Sequence, residues 1–189
     1  MPKYILHGGG TRQKNEGNKK FYNECIAGLG EPVKILIVCY AKPEDEWRKY
    51  FENDREKFSW AVENKKLEFE LADIDQKKFI RQIENNNVIF FRGGGNDMLF
   101  GRLATLENPK ALFAGKTIVG SSAGAYWLSK YFYTNDEEEL RPGAGILNVK
   151  CICHYTDEKK HKARLLKNYN EDLPVYALRE SEFAVIQDY

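Results

Sequence analysis

Short apolar runs alternate with amphipathic stretches along the whole chain. Tyr4-Ile5-Leu6 reads as a first strand, cut off by Gly8-Gly9-Gly10. Residues 33–39 (VKILIVC) are β-branched and nearly continuously apolar between Gly30 and Pro43, as a strand buried on both faces should be. Pro43 followed by Glu44, Asp45 and Glu46 suits a helix start, where carboxylates oppose the positive end of the dipole, and predicts a helix over 43–64. Residues 67–71 alternate as a short strand, and 74–84 have helical spacing. The next strand, 88–91 (VIFF), runs straight into Gly93-Gly94-Gly95. Asn96 is expected to cap a helix carrying Met98, Leu99, Leu103 and Leu106. Residues 117–119 form another buried strand that ends at Gly120-Ser121-Ser122-Ala123-Gly124-Ala125, followed by a helix with Tyr126, Trp127, Leu128 and Tyr131. Residues 149–154 read as a strand, 157–169 as a helix, and 175–178 and 183–186 as closing strands. This rhythm predicts an α/β fold with a mainly parallel sheet and helices on both faces. Ligands of such sheets bind at the carboxyl ends of the strands, where both later glycine-rich junctions fall.

No repeat, low-complexity tract or composition shift marks a boundary, so 1–189 reads as a single domain. Lys+Arg 29 against Asp+Glu 28 leaves a formal charge of +1, which removes the electrostatic footprint of a nucleic-acid binder. The longest apolar run, 35–41, is far short of the roughly 20 residues that cross a bilayer, so no membrane partner is expected. The opening MPKYILHGGG lacks a secretory apolar core. Four cysteines (25, 39, 151 and 153) suit reduced, buried thiols better than a disulfide scaffold. A cytoplasmic protein is expected. Trp47, Tyr50, Phe51, Phe58 and Trp60, at helical spacing, are read as core or as a dimer face, leaving monomer and homodimer both open.

The sharpest chemical signal is the G-x-S-x-G run at residues 120–124, between a buried strand and a helix. A serine there sits on a tight strand-to-helix turn with its hydroxyl outward, beside free N–H groups of the helix start. Ser122 is the candidate nucleophile. Gly93-Gly94-Gly95 lacks the spacing of a phosphate loop but allows close backbone approach. With Ala123, it fits a pair of N–H donors for an oxyanion. A serine hydroxyl needs a base, and the chain has three histidines. His7 and His154 both close strands at the working edge, and residue position leaves the two open; His161 lies in a Lys-rich helix and reads as solvated. Spacing does not choose an acidic partner among 28 carboxylates. Cys151, Cys153, His154 and His161 lack C-x-x-C spacing and a second cysteine pair, so no metal is expected. Nor does the sequence call for a cofactor.

The strings FFRGGGND, IVGSSAGA, TND, GAGILN and CHY, in that order, resemble the dipeptidase E and cyanophycinase-like family of serine peptidases. The resemblance implies a flavodoxin-like sheet related to class I glutamine amidotransferases. It also implies Ser122 as nucleophile and His154 as base, with Cys153 and Tyr155 replacing the Pro and Phe usual on either side of that histidine. Glu180, in Leu178-Arg179-Glu180-Ser181, resembles the family acid of an L-x-E-G stretch, with Ser181 in place of Gly. Gly94 and Gly95 resemble the oxyanion loop. Asn96, Asp136 and Arg164 match candidate substrate positions, Asp136 for an ammonium and Arg164 for a carboxylate. Arg92 stands where the family has a small or apolar residue. The resemblance implies a small peptide substrate, Asp-Xaa dipeptides included. A diverged binding protein on the same fold, or an esterase on the same site, are the alternatives; a Ser in place of Cys disfavours glutaminase chemistry.

Overall fold

Val33, Ile35, Leu36, Ile37 and Val38 are all fully buried, and only Lys34 in this run reaches solvent. In the computed structural model, which describes residues 1–187, they form β2 (Val33–Val38), inside a six-stranded sheet. Its other strands are β1 (Lys3–His7), β3 (Leu67–Leu71), β4 (Val88–Phe91), β5 (Thr117–Ser121) and β10 (Phe183–Gln187). The order is β10-β1-β5-β4-β2-β3, parallel throughout except for β10, which runs antiparallel along β1 at one edge.

Successive residues of β4 show how both faces are covered. The Phe90 ring meets Phe21 of α1 (Glu16–Ile26) and Phe58 of α2 (Trp47–Ala61). Phe91 meets Trp127 of α6 (Ala123–Leu128) and Phe113, which follows α5 (Pro109–Leu112). Each fully buried Phe contributes about 1.5–3 kcal/mol relative to exposure, so these layers fix the sheet against its helices. Between them in the chain lie α3 (Gln76–Asn85) and α4 (Asn96–Leu103).

Several boundaries differ from the sequence reading. Pro43 precedes a 3₁₀ turn (Glu44–Glu46), and α2 begins only at Trp47 and stops at Ala61. Gly95, not Asn96, is the N-cap of α4, without a side-chain cap; Asn96 is its first residue. Helix α1 was not anticipated, although Asn15 caps it by accepting from the Asn18 N–H at 2.8 Å. The helix after Ser122 ends at Leu128, where the Ser129 hydroxyl donates to the Ala125 carbonyl at 2.8 Å. Residues 129–134 (SKYFYT) then leave as β6 (Ser129–Thr134), so Tyr131 lies on a strand. With β7 (Glu139–Pro142), β8 (Leu147–Ile152) and β9 (Val175–Ala177) it makes a second sheet, ordered β7-β6-β8-β9. β8 ends at Ile152, which leaves His154 in the loop beyond, ahead of α7 (Lys160–Lys167). Among the described residues no helix is long and apolar enough to cross a membrane, and all four cysteines are free and buried.

Candidate active site

The turn between β5 and α6 is made by Ser122, whose φ of 51° and ψ of −111° lie outside the ordinary regions for a residue with a Cβ. Such a conformation costs of order 1–3 kcal/mol and persists only where its surroundings impose it. The imposition comes from close backbone packing. A Cβ on Gly120 would stand 2.5 Å from the Gly124 carbonyl, and one on Gly124 would stand 2.2 Å from the Phe91 oxygen. Neither position tolerates a side chain, which is the physical content of the G-x-S-x-G spacing here.

The end of β1 organises the rest. Three consecutive carbonyls accept from three distant parts of the chain: His7 from the Ser122 N–H (3.0 Å), Gly8 from His154 (2.8 Å), and Gly9 from Ser181 (2.9 Å). Gly9 has φ +106°, and a Cβ there would lie 2.2 Å from His154 Cε1, so the loop presses flat against the imidazole. His154 Nε2 is 3.1 Å from Ser122 Oγ, and its Nδ1 is 2.9 Å from Glu180 Oε1. The other carboxylate oxygen of Glu180 accepts from Gln13 Nε2 at 2.7 Å. Ser122, His154 and Ser181 are three of the six non-glycine residues with positive φ among those described. The departures from the family pattern are accommodated. The Cys153 N–H, which a proline would lack, donates to the Tyr126 hydroxyl at 3.0 Å. Ser181 holds a φ of 65° that glycine would adopt without strain, and its hydroxyl accepts from Asn15 Nδ2 at 2.9 Å.

The same network separates the histidines. His7 is fully buried, and the Gly9 N–H donates to its Nδ1 at 3.2 Å, which places the ring proton on Nε2. Nε2 then donates to Asn18 Oδ1 at 3.0 Å, while Ser121 Oγ, not Ser122, is 3.2 Å from Nδ1. Burial lowers the His7 pKa to about 4, so it is a neutral structural ring. His161 is exposed, with Nδ1 3.1 Å from the Glu158 carbonyl.

Of the two glycines expected to donate to an oxyanion, Gly95 is excluded: its N–H is already taken by the Ala41 carbonyl at 2.8 Å. The N–H groups of Gly94 and Ala123 have no acceptor among the described residues. Gly93, in the same glycine run but not one of the two expected donors, is the glycine against Ser122; a Cβ on it would stand 2.9 Å from the Ser122 Cβ.

Two hollows meet at this point, and Gly94, Ser122, Asp136 and His154 line both. The larger, about 570 Å³, extends past Arg12, Gln13, Lys42, Tyr50 and Arg92. The smaller, about 180 Å³, is bounded by Asn96, Tyr126, Thr134 and Asn135. Of the expected substrate positions, Asn96 lines the smaller hollow and Asp136 both. Arg164 is exposed on α7, which turns Lys162 and Leu166 inward instead, and it lines neither hollow. Asn135 Nδ2 donates to the Cys153 carbonyl at 2.7 Å, and its buried Oδ1 has no partner among the described residues. Arg92 is buried and paired with Asp54, Nε to Oδ2 at 2.7 Å and Nη2 to Oδ1 at 3.3 Å. Tyr50, read from sequence as core or a dimer face, lines the larger hollow. Gln13, Lys42 and Asn135 were missed: Gln13 and Asn135 meet Glu180 and the Cys153 carbonyl, which lie far away in sequence, and the Lys42 ammonium has no hydrogen-bond or ion-pair partner among the described residues.

The overall likeness to solved structures is to peptidases. A peptidase from an acI-B1 Actinobacterium superposes with a TM-score of 0.66 at 20% identity, covering 99% of this chain and 84% of that one. A putative peptidase E protein from Listeria monocytogenes EGD-e gives 0.69 at 17% identity, covering 98% and 94%. These likenesses establish the α/β fold. Among curated proteins, none matches the chain by sequence. The family model described as peptidase family S51 matches residues 4–189, and the chain therefore belongs to that family of serine peptidases.

Proposed function

We propose that the protein hydrolyses small peptides through Ser122, His154 and Glu180 by way of an acyl-enzyme, with Asp-Xaa dipeptides among its substrates. The observation that carries this reading is the unbroken run Ser122 Oγ, His154 Nε2, His154 Nδ1, Glu180 Oε1, with gaps of 3.1 Å and 2.9 Å. With its proton on Nδ1 and donated to Glu180, His154 offers Nε2 to the Ser122 hydroxyl. Ser122 Oγ attacks the scissile carbonyl as Nε2 takes its proton, and the resulting imidazolium is stabilised by the carboxylate. The N–H groups of Ala123 and Gly94 receive the oxyanion. His154 then protonates the leaving amine and afterwards deprotonates the water that releases the acyl group. His154 and Glu180 are 39% and 47% exposed at the side chain. Their attraction is therefore screened, and the clamp from Gln13 matters for holding the carboxylate in line.

The test is a fluorophosphonate probe together with a dipeptide library that includes Asp-Xaa members, applied to wild type and Ser122→Ala. Wild type should be labelled and should cleave members of the library. Ser122→Ala should lose labelling and roughly 10³-fold or more of the activity. Equal labelling of both proteins, or a library left intact by wild type, refutes the reading.

A further inference from the structure

The larger hollow carries a charge arrangement that the Ser122 chemistry does not use. Three cations lie over one aromatic ring on its wall, Lys49 Nζ at 5.7 Å from the centre of the Tyr50 ring and, nearer and lining the hollow themselves, Arg92 Cζ at 4.3 Å and Lys42 Nζ at 4.8 Å. Their situations differ. Arg92 is neutralised from behind by the buried Asp54, which uses its Nε and Nη2; its Nη1 group has no acceptor among the described residues. Lys42 Nζ has neither hydrogen bond nor ion pair among the described residues. Burial, and then the neighbouring Arg92, pull its ammonium below the usual lysine range. Its backbone is nonetheless fixed: the Lys42 carbonyl accepts from Arg102 Nη1 (2.7 Å) and Trp47 Nε1 (2.9 Å). The preceding carbonyl, of Ala41, ties the oxyanion loop through Gly95. The carboxylates that line the hollow, Glu46, Asp136 and Glu180, make no ion pair with it, although Glu46 opposes the downward pull, so a half-desolvated ammonium held in place one residue from that anchor is open to an anion. Across Ser122 the smaller hollow is lined by neither Lys nor Arg among the described residues and holds the orphan Asn135 oxygen, with Asp136 standing where the two hollows meet.

We propose that Lys42 and the free edge of Arg92, both set on Tyr50, form the subsite for a carboxylate of the peptide substrate and fix the direction in which that peptide lies across Ser122. The inference rests on the peptidase reading above and deepens it. Neither Arg164, the residue expected to fill this role, nor another α7 side chain reaches the hollow. The carboxylate has two sources, the free C-terminus or an acidic side chain.

The experiment uses four matched peptides, Asp-Leu, Asn-Leu and the C-terminal amides of both, against wild type, Lys42→Gln and Lys42→Arg. Lys42→Gln should raise KM for the carboxylate-bearing peptide by roughly 10–100-fold, the value of one charge-assisted hydrogen bond, with kcat little altered. The loss should be far smaller on the matched peptide without that carboxylate, and Lys42→Arg should restore most of it. Discrimination that vanishes on amidation identifies the C-terminus; discrimination that vanishes with Asn identifies the side chain. Equal losses on all four peptides, or none on any, overturn the subsite. Fluorophosphonate labelling of Lys42→Gln at the wild-type rate makes that failure one of the subsite alone. A wild type that is not labelled overturns the peptidase reading and the subsite with it.

Discussion

His7 offers the most quantitative check on the reasoning, because its environment converts directly into a pH dependence. The ring is fully buried behind the nucleophile, donates to Asn18 and accepts from Gly9, and burial brings its pKa from 6.5 to about 4. The folded value lies below the unfolded one, so on acidification the unfolded chain takes up the proton first. Stability from this residue is complete above pH 6.5 and is lost as the pH falls toward 4. A separation of about 2.5 units is about 3 kcal/mol in all, of which about 2 kcal/mol has gone by pH 5. The assay is urea denaturation of wild type and His7→Gln, whose amide N–H can still reach Asn18, at pH 7.5 and pH 5. Carboxylates titrate in both proteins and cancel in the difference. The wild type should lose about 2 kcal/mol more than the variant between the two pH values. Ring resonances of His7 in the folded wild type should show no protonation above about pH 5, which gives a reading even if the variant is unstable. Parallel pH profiles, or a ring that titrates near 6.5, would refute the assignment of His7 as a neutral structural group.

Two further outcomes are expected. Gly9→Ala puts a methyl 2.2 Å from the His154 ring at a φ of +106°; kcat should fall roughly 100-fold as the imidazole is displaced, while the fold survives with a loss of about 1–2 kcal/mol. Circular dichroism and peptide hydrolysis together check this, and wild-type activity would contradict it. Asp54→Ala leaves the Arg92 guanidinium buried without its partner and should cost about 3–5 kcal/mol in denaturant unfolding, with Arg92→Met in the same chain recovering part of it; a loss below about 1 kcal/mol would mean that water replaces the carboxylate.

The parallel sheet and the serine turn were legible because both rest on local signals. Runs such as 35–38 and 88–91 can be apolar throughout only if both faces are covered, and Gly120 and Gly124 mark a bend that excludes side chains. The second sheet was lost where local signals conflict: Tyr126, Trp127, Leu128 and Tyr131 have helical spacing, while the β-favouring aromatic run Tyr131-Phe132-Tyr133 belongs to β6, which begins at Ser129. The choice between His7 and His154 was beyond local reading, since each follows an apolar run and reads from sequence as the end of a strand. It is decided by Asn18, on a helix that the sequence reading passed over, and by the turn that carries His154 out of β8. Arg164 failed for the same reason in reverse: an arginine near a base by sequence can still face solvent. Lys42 needed the fold altogether, because what distinguishes it is an ammonium over the Tyr50 ring with no hydrogen bond or ion pair among the described residues.

The ladder of carbonyls at His7, Gly8 and Gly9 also sets how this site breaks. Because main-chain groups hold Ser122, His154 and the residue after Glu180 to adjacent rungs, a slip of β1 along its neighbours would carry all three out of alignment at once. Amide protons of Ser122, His154 and Ser181 should then exchange in a single shared event, so that heat or denaturant silences the enzyme as one switch rather than wearing it down piece by piece.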